Sequence, residues 1–97
     1  MEIEWDENKN LSNADKHGLR FEDALLVFAG HCLTFKDDRF DYGEERLITL
    51  GELAGRVVVI VHTPRGDATR IISMRKANER EKRFYKERSG QAGRDER

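Results

Sequence analysis

Along the chain the spacing of apolar residues changes from two, to helical, and back to two, and each change of period marks an element. Ile3 and Trp5 alternate with acids in "EIEW", which predicts a short first strand. Asp6 or Asn8 then caps a helix with Leu11 and Ala14 on one side. "DKHG" ends it: Lys16 and His17 stand where the helix dipole favours cations, and Gly18 takes the left-handed closing conformation. Phe21, Ala24, Leu25 and Phe28 predict a second helix of about two turns, with Glu22 and Asp23 in its first turn. Arg20 occupies its cap position, where a small polar residue is the usual choice.

From "CLTF" onward the period is that of strands, over residues 33–36, 45–53, 56–63 and 68–74. "DDRFDYGE" reads as a loop, and "AG" and "PRGD" as turns short enough to force antiparallel neighbours. "VVVIV", residues 57–61, lacks alternation, as expected of a central strand covered on both faces. Asn78 with Glu81 three positions later forms a capping-box signature for a last helix, with Ala77 and Phe84 inward and Tyr85 one position round. The expected fold class is α+β: a mainly antiparallel sheet of about four to five strands, two N-terminal helices and one C-terminal helix. A single domain is expected over residues 1–88. Residues 89–97, without a large apolar side chain, are expected to form a disordered tail.

Composition narrows the picture. The chain has 97 residues, 37% of them hydrophobic, which suits one small core. Its longest apolar run is far too short to cross a bilayer and its N-terminus is acidic, so a cytoplasmic protein is expected. Cys32 is the one cysteine, which excludes an internal disulfide and leaves space-filling as its expected role. The net charge is −1, yet it is unevenly distributed. Residues 1–55 hold 13 acidic and 6 basic side chains; residues 56–97 hold 6 acidic and 12 basic.

Candidate chemistry follows from that basic half. His17, His31 and His62 have no ligand spacing, and the acidic stretch "DDRFDYGEE" reads as a solvated loop, so no metal site and no cofactor are expected. Arg65 lies in a turn. By parity Arg75 shares a strand face with Ile71 and Ser73, and Arg70 shares the other with Ile72 and Met74, so the basic residues do not form one patch. Arginines at strand ends suit bidentate phosphate binding. The chemistry these residues support is metal-free RNA cleavage, in which the 2′-hydroxyl is the nucleophile and the protein supplies cations and a proton shuttle.

Three ordered stretches, "WDENK…N…KHGLRFEDALLVF", "GEERLITLG" and "RIISMRKANEREKRFY", strongly resemble the BrnT family of type II toxin–antitoxin pairs. The resemblance implies a RelE-like fold, ribonuclease activity that halts translation and growth, and a BrnA-like antitoxin with a ribbon-helix-helix part, through which alone DNA would be reached. By position it carries over Lys16, His17, Arg65, Arg70, Arg75, Glu81 and Tyr85. The roles expected are Arg65 and Arg75 on the phosphate, Tyr85 or His17 in proton transfer, and Lys16, Arg70 and Lys76 on the RNA backbone. Gly18, Asn78 and Glu81 are expected to be structural. The competing reading is a non-catalytic RNA- or protein-binding module, the partner half of a repressor complex, with Tyr85 as plain core.

Overall fold

A computed structural model describes residues 1–95, with side chains described through residue 89. The chain folds as β1 (Glu2–Trp5), α1 (Glu7–His17), a 3-10 turn (Phe21–Asp23) leading into α2 (Ala24–Ala29), β2 (Leu33–Lys36), β3 (Leu47–Leu53), β4 (Arg56–Arg65), β5 (Ala68–Lys76) and α3 (Glu79–Asp95). The strands form one mixed sheet in the order β1-β5-β4-β3-β2, in which only β1 is parallel to its neighbour. The fold is therefore α+β, and β4 with its "VVVIV" run is the central strand. The second helix is shorter than its spacing suggests: uncapped at Arg20, it opens as the 3-10 turn and becomes α-helical only at Ala24. The tail expected from residue 89 lies, for its side chains beyond that residue and entirely for residues 96 and 97, outside the described residues; the backbone of α3 is traced to Asp95.

Two apolar clusters hold the layers. On one face Phe21, Ala24 and Val27 from the 3-10 turn and α2 pack on Val58, Ile60, Ile71 and Met74, with Ile3 and Trp5 at the margin. On the other, Ala77 and Tyr85 pack on Leu50, Val57 and Val59, with Phe84 at the edge. Strand alternation explains β4, whose even and odd residues feed different clusters. Gly51 permits the close approach of α2 to β3: an added Cβ there would stand 2.5 Å from Val27 Cγ1.

α1 departs from its expected pattern. Leu11 is 62% exposed, while Asn10 and Asn13 are the buried residues of the helix. Both act as backbone surrogates. Asn10 Oδ1 accepts the Phe21 N–H at 2.8 Å, and Asn13 Oδ1 accepts the Met74 N–H at 3.1 Å. The second bond is needed because β1 pairs with β5 only as far as Ile71, so Met74 lies beyond the reach of any strand on that side. Asp6 rather than Asn8 is the cap, accepting from the Asn8 and Lys9 N–H groups. Gly18, at φ 69°, closes the helix with its N–H on the Ala14 carbonyl. In α2 it is Val27, not Leu25, that completes the buried face.

Candidate functional site

β5 carries most of the site, and its register decides which side chains meet. Val61 is opposite Ser73 and His62 is opposite Ile71, so Ile72 is an extra residue, a β-bulge. The bulge overturns the parity expectation for the arginines. Ile71 and Met74, three apart, both enter the core beneath the 3-10 turn and α2, so Arg70, Ser73 and Arg75 all fall on the opposite face. Thr63 and Arg65 of β4 share that side by alternation.

α3 covers only one end of this face. The uncovered part is the floor of a cleft of about 500 Å³, with Ile48, Val59, Val61 and Ile72 beneath, Lys36, Arg39, Arg46 and Arg75 around it, and the carboxylates Asp37, Asp38 and Glu81 among them. Arg75 stands at the start of α3, where its guanidinium donates two bonds of 2.8 Å to the Glu81 carboxylate. Glu81 also completes the capping box: its Oε1 accepts the Asn78 N–H at 2.9 Å, and its own N–H reaches Asn78 Oδ1 at 2.8 Å. The Arg75 hydrogen bonds hold the Glu81 carboxyl below its ordinary value, and the pair raises Arg75.

The facing wall is the 37–46 loop, whose acidic sequence suggests a solvated segment. It is built, not slack. Buried Asp37 accepts Arg39 Nε and Nη2 at 2.8 and 3.0 Å and the Tyr42 hydroxyl at 3.2 Å. With the Arg39 guanidinium as main cause, the Asp37 carboxyl is held at about 2. The Asp37 N–H donates to the Arg46 carbonyl, tying the loop at both ends, and the Arg46 guanidinium lies 4.0 Å over the Tyr42 ring. Sequence pattern alone pointed to none of Lys36, Arg39, Tyr42 or Arg46. The available signal was the alternation of arginines and aromatics within an acidic loop.

The remaining expected residues are dispersed. Lys16 and His17 line a second cleft of about 380 Å³ beside α1, which shares Ile72 and Ser73 with the first, so these two residues flank the same stretch of β5 as Arg75. Arg70 donates to Glu4 at 2.8 Å, towards β1. Arg65 is exposed at the β4–β5 turn. Lys76 lies away from Arg75, in a hollow with Arg56, Lys82 and Lys86. Tyr85 is only 3% exposed, and its hydroxyl donates to the His31 carbonyl at 2.9 Å; burial pushes its phenol up. Its place is the core beneath α3, not the cleft.

Among the described residues no three His, Cys, Asp or Glu side chains group as metal ligands, and no helix is long and apolar enough to cross a membrane. The arrangement can hold an anionic chain across an apolar floor, with arginines on opposite walls. A search of curated proteins returned no match. A family model described as "Ribonuclease toxin, BrnT, of type II toxin-antitoxin system" matches residues 5–81. That span includes α1, the built loop, the bulged strand and the Arg75–Glu81 pair, and with it the chain belongs to the BrnT family of ribonuclease toxins.

Proposed function

We propose that this toxin cleaves RNA without a metal ion, inhibiting translation and growth in the cytoplasm until a BrnA-like ribbon-helix-helix antitoxin neutralises it. The unit that does so is one RelE-like domain over residues 1–88. The observation that carries this reading is the cleft: four cationic side chains outnumber the three carboxylates, Asp37, Asp38 and Glu81, around an apolar floor on the uncovered part of the sheet. In the reaction the RNA 2′-oxygen bonds to the adjacent phosphorus and the bond from phosphorus to the 5′-oxygen breaks. A base takes the 2′-hydroxyl proton, an acid protonates the leaving oxygen, and the products are a 2′,3′-cyclic phosphate and a 5′-hydroxyl. Arg75, oriented by Glu81, stabilises the crowded phosphate through the guanidinium edge that those bonds leave open. His17, across Ser73 in the adjoining cleft, serves proton transfer, and Lys16 beside it attracts the strand. Tyr85 supports the floor from within the core.

The deciding experiment is cleavage of a defined RNA in EDTA by wild type, Arg75→Ala and Lys86→Ala. Wild type is expected to retain activity with cyclic or 3′-phosphate ends. Arg75→Ala is expected to lose about 10²–10³ in rate, the usual cost of a donor aimed at transition-state charge. Lys86→Ala, in the hollow away from the cleft, should stay near wild type. Activity lost in EDTA and restored by magnesium would overturn the mechanism, and binding without any product would favour the non-catalytic module.

A further inference from the structure

We propose that Arg46 is the docking donor for an RNA phosphate in the main cleft, a role that rests on reading that cleft as an RNA site. Hydrogen-bond accounting separates it from the other arginines there. Arg75 has both terminal nitrogens on Glu81, and Nη1 reaches the Lys76 carbonyl as well. Arg39 has Nε and Nη2 on Asp37. Arg46 makes no side-chain hydrogen bond among the described residues. Its Nε is shielded from solvent and ion-paired with Glu44 at 3.5 Å, which leaves the terminal nitrogens as the donors without a partner that an acceptor in the cleft can meet. Such a donor is costly to leave unmade, and a phosphodiester oxygen is the acceptor that a planar fork fits best.

Arg46 is also pre-positioned. The Tyr42 ring supports its guanidinium at 4.0 Å, and Tyr42 is anchored to Asp37 through its hydroxyl. The Arg46 backbone carbonyl is fixed by the Asp37 N–H at 2.8 Å. With 28% of its side chain exposed, it faces the cleft while little rotamer freedom remains to be lost on binding. Arg46 therefore takes the phosphate in the resting cleft, while Arg75, already held by Glu81, contributes at the reacting group.

The test uses the full chain and a single-stranded RNA whose 2′-oxygens are methylated, so that it binds without being cut, titrated over a range of salt. Arg46→Gln is expected to weaken binding about tenfold and to lower the salt slope by about 0.7, one phosphate contact on a single strand. Arg46→Lys keeps the charge but not the fork, so its slope stays at wild type while affinity falls. Arg56→Gln, outside the cleft, should change neither. Circular dichroism checks folding; if Arg46→Gln unfolds, Arg46→Lys decides by its affinity. A folded Arg46→Gln with wild-type affinity and slope overturns the role of Arg46 and leaves the RNA reading intact. No binding by wild type overturns both.

Discussion

On the face covered by the 3-10 turn and α2, Phe21, Ala24, Val27, Ile60 and Met74 are sealed from solvent, whereas across the same strands α3 leaves part of the sheet to a cleft lined with charge. The difference lies in what each side chain is held by. The covered face is held by close packing, so its residues tolerate no change of volume. The open face is held by directed pairs, Arg39 with Asp37 and Arg75 with Glu81, which fix orientation, and the half-exposed Arg75–Glu81 pair contributes little to stability because water screens it. One sheet thus has a sealed core on one side and, on the other, a smaller core beside a charged cleft.

The strongest way to break that division is Phe21→Ala. Removing a fully buried ring is expected to cost about 3–5 kcal/mol in urea unfolding, whereas Arg75→Ala should cost about 1 kcal/mol or less. Equal losses would mean that the faces are not separable.

Acid sharpens the contrast. Burial holds the His62 imidazole at about 4, below its ordinary 6.5, so the folded protein keeps it neutral while the unfolded chain takes up a proton. Its contribution is fully present above pH 6.5 and is lost as pH falls towards 4. At about 1.36 kcal/mol per pKa unit the loss amounts to roughly 3 kcal/mol. Asp37, on the open face, is lowered from 3.8 to about 2, so its contribution persists until the pH falls below about 4. Unfolding free energies measured from pH 7 to pH 3 should therefore fall first through His62, and His62→Gln, which retains a partner for Thr49, should flatten the upper part of the curve.

A smaller effect is expected at Gly51. Gly51→Ala should destabilise by about 1–3 kcal/mol through overpacking against Val27, and Val27→Ala in the same chain should relieve part of the clash, as a double-mutant cycle would record. Smallest is Asn78→Ala, at about 1 kcal/mol for a lost helix cap. Because the Asn78 backbone N–H, which Ala keeps, still donates to the Glu81 carboxylate, that variant should slow RNA cleavage no more than its stability loss explains.

Much of this architecture was legible in residue patterns. The unbroken "VVVIV" run marked the central strand, "DKHG" marked the end of α1, and Asn78 with Glu81 marked the start of α3. The illegible residues of α1 share a physical reason: each depends on partners distant in sequence. Asn13 is buried because Met74, 61 positions away, lacks a strand neighbour, and no helical pattern encodes that. Leu11 reads as an inward residue for the same lack of information. The 37–46 loop looked solvated because its charges cancel locally, yet that cancellation, Asp37 against Arg39, is what makes it a wall. Tyr85 matched the catalytic pattern by position but is claimed by the core.

The bulge at Ile72 has a consequence for how relatives of this chain are compared. Because Ile72 has no opposite number in β4, losing its codon would leave Ile71 and Met74 inward and Arg70, Ser73 and Arg75 outward. Chain length can change by one at that point without any neighbour changing sides. Alignments of this strand are therefore expected to place single-residue gaps there. One that forces constant length through a bulge-free relative will match an arginine of this protein to a core position.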